Sequence, residues 1–201
     1  MRVKTEEKRR AIIEAAMAVF LERGYDAASM ALVSARVGGS KQTLYSYFPS
    51  KDALFMAVIM EKGAGRIDPA FQALEEMVDL REGLTRFATA LSAFLVADEI
   101  VALRRMVIAE SGRSSLGRQF FDVIKSRGWS RLADLFSRAM DQGRLRRADP
   151  WLAATQFQAL CEGGLFQERL YGAREAASDA DIVQAAEGVV DLFMRGYGAG
   201  G

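Results

Sequence analysis

The stretch "SKQTLYSYFP", Ser40 to Pro49, gathers side chains that hold phosphates and read base edges. Gln42 can pair with adenine through two hydrogen bonds, while hydroxyls, Lys41 and the first N–H groups of a helix hold phosphate oxygens and set register. Ser40 is a helix N-cap, and Pro49 ends the helix because the residue before proline is pushed out of helical geometry. At 3.6 residues per turn, Leu44 and Phe48 fall about 40° apart and must face a core. Gln42 and Ser46 then point the opposite way, with Thr43 and Tyr45 on the flanks. A helix this short buries only two large apolar residues, so its outer face is free for another surface. The plainer alternative is that Tyr45 and Tyr47 are half-buried aromatics and nothing more.

Composition narrows the chemistry further. The 201 residues contain no histidine and one cysteine, Cys161. A disulfide within the chain and a cysteine-clustered zinc site are excluded, and the commonest general base and metal ligand are missing. No Gly-rich phosphate loop, paired-carboxylate motif or G-x-S-x-G is present, so neither catalytic residues nor a metal or cofactor is expected. Cys161, with no basic neighbour in sequence, reads as a small core residue and not as a redox sensor. The net charge of +1 conceals an uneven distribution: residues 1–51 carry nine Lys/Arg against five Asp/Glu, and the remaining 150 are net −3. The basic quarter is where a polyanion would bind, although a solvated helix face in "KTEEKRR" accounts for half of that excess. No apolar run suits a membrane span and no cleavage pattern follows the first residues, so a cytoplasmic protein is expected.

Three prolines and no strict alternation of β-branched residues make the pattern helical throughout. The reading is an all-α chain of about nine helices, divided into an amino-terminal helical domain over 1–52 and a second helical domain over 53–201. The first helix runs from Thr5 as N-cap to a stop at Gly24, burying Ile12, Ile13, Ala16, Val19 and Phe20. Ser29 caps a second helix ending near Gly38, and Ser40 caps the third. Ser50 caps a fourth, "KDALFMAVIMEKGAG". Three helices in about fifty residues, the last two joined by a glycine turn, have the layout of a helix-turn-helix.

The string "GYDAASMALVSARVGGSKQTLYSYFPSKDALF", Gly24 to Phe55, resembles the DNA-binding domain of the tetracycline-repressor (TetR) family of transcriptional regulators. The matching pieces are Gly24-Tyr25, Ser29-Met30, Ser40 through Tyr45, and Phe48-Pro49-Ser50-Lys51 with Leu54-Phe55. The resemblance implies an Ω-shaped helical homodimer with one helix-turn-helix per subunit. It implies Lys41, Gln42, Thr43 and Tyr45 as DNA-facing positions, and Ser29, Ser40, Tyr47 and Lys51 as contacts to the phosphate backbone. Two departures stand out. Gly39 occupies a position usually held by a small apolar residue, typically valine, which removes about 1.5 kcal/mol or more of burial and is expected to loosen the turn. Ser34 and Val37 replace a common alanine pair.

Further helices are expected at roughly 81–96, 99–111, 115–142, 150–171 and 179–197. "RLRRADP" and "LRRMVIAES" resemble the carboxy-terminal domain of the AefR-like branch of the family. For a dimer surface the reading selects the stripe Ile182, Ala186, Val189 and Phe193 with Phe157, plus Gly163-Gly164, whose helix-weakening cost close helix approach would explain. The alternative is that the stripe packs within its own subunit. For an effector pocket, implied by the family, it selects Phe87, Phe94, Met106, Phe120 and Trp129 as apolar lining, with Glu110 and Gln156 as polar anchors. Plain core is the alternative for the aromatics, and solvent for the two polar residues.

The function expected is a DNA-binding repressor, a homodimer on a palindromic double-stranded operator, released by a small hydrophobic effector, with no membrane partner. The alternatives are a helical dimeric interaction module that reads no sequence, or a helical enzyme.

Overall fold

A computed structural model of the chain describes residues 5–199. Eleven α-helices account for most of them: α1 (Glu6–Ala27), α2 (Met30–Val37), α3 (Lys41–Tyr47), α4 (Lys51–Glu76), α5 (Leu80–Val96), α6 (Asp98–Glu110), α7 (Leu116–Ile124), α8 (Ser130–Asp141), α9 (Pro150–Glu162), α10 (Leu165–Tyr171) and α11 (Asp179–Tyr197). A π-helical turn, Lys125–Trp129, joins α7 to α8 without a break. Among the described residues there is no β-strand, only an isolated bridge between Leu145 and Gly198. None of the helices there is long and apolar enough to cross a membrane.

Local chemistry sets most of the ends. Thr5, Ser29, Ser40, Asp79, Asp149 and Ser178 each accept an amide hydrogen from the first turn they precede, satisfying donors that a helix start leaves open. Ser50 does the same for Ala53 at 3.0 Å. Gly24, at φ +74°, kinks α1 three residues before its end. Two boundaries differ from the sequence reading. The fourth helix continues past "KGAG" and through Pro69 to Glu76; its second half is held by Arg131, which pairs with Asp68 at 2.8 Å and lies 4.1 Å above the Phe71 ring. The segment expected as one helix over 150–171 is two, because Gly164 takes φ +49°, a left-handed value that no helix continues through. The helix therefore breaks at Gly164.

The chain forms two compact units that do not follow chain order: residues up to Gly63 together with Ala102–Phe120, and Ala64–Val101 together with residues from Phe121 onward. The first unit is built on α1 to α3 and the start of α4. Phe20 and Phe55 are fully buried and meet edge to face at 4.8 Å, with Tyr25 against both. Leu44 and Phe48 carry α3 onto this core. In the second unit α5, α8, α9 and α11 enclose Leu84, Phe87, Phe136, Phe157 and Phe193. Phe193 stacks on Phe136 at 4.9 Å and receives Phe157 edge-on at 5.1 Å. Buried Arg169 on α10 donates to the carbonyls of Val96, Arg174 and Glu175 and pairs with Asp98.

Candidate nucleic-acid interface

Helix α3 exposes Lys41, Gln42, Tyr45 and Ser46, leaves Thr43 and Tyr47 half-buried, and buries Leu44 and Phe48, as the helical wheel requires. Thr43 has its amide bound to Ser40 Oγ at 3.1 Å and its hydroxyl 2.9 Å from the same oxygen. Ser46 Oγ donates to the Thr43 carbonyl at 2.7 Å. Ser40 therefore fixes the first turn of α3, and Ser29 fixes that of α2 by accepting from Leu32 at 3.3 Å. Either hydroxyl can still accept or donate outward, since each carries more capacity than the cap consumes.

The glycine pair before α3 lies in a hydrogen-bonded turn. Gly38 adopts φ +70°, and its N–H reaches the Ala35 and Ser34 carbonyls, with Ser34 also accepting from Gly39 N at 3.2 Å. Buried Ser34 then donates its hydroxyl to the Gly39 carbonyl at 2.7 Å. Ser34, at a position where alanine is common, thus adds a side-chain hydrogen bond to the turn that carries glycine at position 39.

Around α3 lies a concave face of about 1030 Å³, lined by Ser40, Gln42, Thr43, Ser46 and Tyr47 together with Thr5, Glu7 and Lys8 from the start of α1. Thr5 donates its N–H to the Tyr47 hydroxyl at 2.9 Å, which anchors this end of α1 beside the helix. Sequence reasoning missed the α1 contribution. One signal was available: Lys8 stands one turn before Ile12, so it continues the buried side of α1 out to its rim.

Several basic side chains of the first unit are engaged within it. Arg9 and Arg10 face Glu61 at 3.3 and 3.9 Å, and Arg36 faces Glu22 at 2.7 Å. Lys51, expected on phosphate, turns inward. Its ammonium donates to the Tyr25 carbonyl at 2.8 Å and the Asp26 carbonyl at 3.4 Å, and sits 4.2 Å above the Tyr25 ring. The Tyr25 hydroxyl donates to Asp52 at 2.5 Å. Burial first, and that carboxylate second, hold the phenol well above its ordinary value, so it stays a neutral donor.

Residues 12–58 match the family described as "Bacterial regulatory proteins, tetR family". Residues 82–199 match "AefR-like transcriptional repressor, C-terminal domain". The chain belongs to the TetR family. A TetR-family regulator from Mesorhizobium loti MAFF303099 superposes with a TM-score of 0.85 at 30% identity, covering 98% of this chain and all of the other. The flavonoid-responsive regulator FrrA superposes at 0.74, also at 30% identity and with the same coverage. Among curated proteins, the HTH-type transcriptional regulator YfiR of Bacillus subtilis (strain 168) is 24% identical over 186 residues, 90% of each chain. These TetR-family proteins are transcriptional regulators and not enzymes, and members of the family bind DNA, dimerise and bind small molecules.

The residues selected for a pocket and a dimer surface fare differently. Met106, Glu110 and Phe120 belong to the first unit; Phe87, Phe94, Trp129 and Gln156 belong to the second. Glu110 is no free anchor: it is buried and paired with Arg113 at 3.3 Å, and Arg113 also reaches Asp26 at 3.1 Å. Phe120 lies under the Arg104 guanidinium. Phe87 is buried core between Phe71 and Phe157, with Phe94 packed at its edge. Gln156 is exposed and accepts from the Tyr197 hydroxyl at 2.5 Å. Trp129 meets Phe121 at 5.2 Å and Trp151 at 5.9 Å, with its indole N–H buried and without an acceptor among the described residues.

The dimer stripe requires correction. Phe157, Ile182, Ala186 and Phe193 are buried in the core of their own unit, so they have no surface left for a partner. The i, i+4, i+7, i+11 spacing marked the inward side of α11. Val189 is partly buried, and it shares a largely apolar groove of about 340 Å³ with Ala159, Leu160, Gly163, Gly164 and Ala185. Val183 and Leu192 are exposed on α11.

Proposed function

We propose that this protein is a ligand-responsive transcriptional repressor whose α3 reads the major groove of an operator. The observation that carries this reading is the division of α3 itself: Leu44 and Phe48 are sealed into the core, while Lys41, Gln42, Tyr45 and Ser46 remain exposed beside a concave face. Gln42 reads a base, Thr43 and Tyr45 flank it, and Lys41, Tyr47 and the two cap serines, Ser29 and Ser40, hold phosphates. Lys51 fixes the end of α1 in this scheme. The match of residues 82–199 to an AefR-like repressor domain supports repression.

A homodimer completes the reading, because two recognition helices about one DNA turn apart, roughly 34–36 Å, or more, read an inverted repeat. The surface assigned to it is the outer side of α9 and α11, with the apolar groove, Val183 and Leu192. Leu192→Glu is expected to yield a folded monomer in sedimentation; an unchanged dimer would remove that surface. Release is assigned to a small hydrophobic effector in the second unit. FrrA, which is flavonoid-responsive, supports an effector of this class. The unpaired Trp129 indole N–H beside Phe121 and Trp151 suits an aromatic molecule bearing a hydrogen-bond acceptor. Its power to release DNA can be no larger than its differential affinity for the two conformations.

The test is selection from a random duplex library at about 150 mM salt, a range in which nonspecific phosphate binding is weak. Recovery of an inverted repeat is expected. Sequence-independent retention would favour an interaction module with a basic face.

A further inference from the structure

We propose that Lys8, on the first turns of α1, is a further DNA phosphate contact, and that glycine at position 39 is what admits its ammonium to the recognition face. The proposal rests on the DNA-reading function above. Lys8 is half-buried and lines the same concave face as Ser40, Gln42, Thr43 and Tyr47. It also borders the crevice between α1 and the turn, with Ile12, Ser34, Gly39 and Leu44. Its neighbours Arg9 and Arg10 are committed to Glu61, whereas Lys8 has no ion pair among the described residues. A positive charge held at the rim of a site that recognises a polyanion, without an internal partner, is placed for a phosphate.

Gly39 supplies the room. A Cβ added there would stand 3.8 Å from Lys8 Nζ, and apart from its own chain neighbours no other described atom lies within 4 Å of it. The γ-carbons of a valine extend about one bond length, roughly 1.5 Å, further. In a rotamer aimed at Lys8 they would crowd the ammonium, which stands at ordinary contact distance from the Cβ position. The backbone at Gly39 does not itself require glycine, since its φ lies outside the left-handed region. Glu7 is the acidic side chain on this face, and its carboxylate makes no ion pair with Lys8 among the described residues. It lowers the local potential without neutralising the contact.

The experiment measures affinity by fluorescence anisotropy over a four-fold range of salt, using a labelled mixed-sequence duplex and the duplex retained in the library selection. Lys8→Ala should reduce the slope of log affinity against log salt by about 0.9 per subunit, close to two per dimer. Over that salt range the variant then loses about twelve-fold less affinity than the wild type, on both duplexes. Gly39→Val should reproduce the reduced slope, and Lys8→Ala should add nothing in the Gly39→Val background. A Lys8→Ala slope equal to the wild type's overturns the contact. Full additivity of the two substitutions overturns the role given to Gly39. Wild type that binds neither duplex removes the DNA-reading function and this inference with it.

Discussion

Lys51 gives the sharpest test of how the first unit is assembled. Lys51→Met keeps the apolar stem and removes the ammonium. One hydrogen bond from a charged donor at 2.8 Å is lost, a weaker one at 3.4 Å goes with it, and so does a cation resting 4.2 Å above the Tyr25 ring. A charged hydrogen bond contributes about 1.5–3 kcal/mol and a partly exposed cation–π contact about 0.5–1, against which the ammonium recovers some solvation cost. The expected loss is about 2–3 kcal/mol, a roughly 30- to 150-fold fall in the ratio of folded to unfolded protein. In urea unfolding followed by circular dichroism, at matched protein concentration, the midpoint should drop by about 1 M. The slope of DNA affinity against salt should stay at the wild-type value, because the ammonium faces backbone carbonyls. Unchanged stability with a slope lowered by about one per subunit would refute this reasoning and return Lys51 to a phosphate.

Phe55→Ala, at a fully buried ring packed edge to face on Phe20 and Tyr25, should cost about 3–5 kcal/mol and abolish DNA retention through loss of the unit's core; calorimetry checks the first and anisotropy the second. Tyr25→Phe should lower stability at neutral pH. Since burial and Asp52 raise the phenol above its ordinary value of 10.0, the wild type's advantage is fully present below that value and declines as pH rises beyond it. An advantage that grows with pH would contradict the assignment. Cys161, buried and with its thiol pushed up to about 12 by desolvation and then by Glu162, should resist iodoacetamide near about pH 8 in the native protein and react on unfolding.

The helix starts were legible because a cap involves neighbours in sequence. Ser29, Ser40 and Ser50 each bond an amide three residues on, so their identity and spacing announce the turn. The inward and outward sides of α3 were legible for the same reason. What required the folded chain was every contact between distant segments. Lys51 shows its direction only once the end of α1, some 25 residues earlier, lies beside it. Pro69 is tolerated within α4, whose second half Arg131 from α8 braces. The stripe on α11 announced burial correctly, but periodicity is silent on what covers a buried face. At Phe193, Phe136 and Phe157 of the same chain cover it. Ser34 likewise looked like a lost alanine until its hydroxyl was found on the Gly39 carbonyl.

The claim that α3 reads sequence is tested most directly by parallel selections with wild type and with a variant carrying Lys41→Ala, Gln42→Ala and Thr43→Ala, which leaves Leu44 and Phe48 in the core. The wild type should retain an inverted repeat, and the variant, folded as shown by circular dichroism, should retain none. A variant that keeps the same motif, or a wild type that enriches no motif, would contradict it.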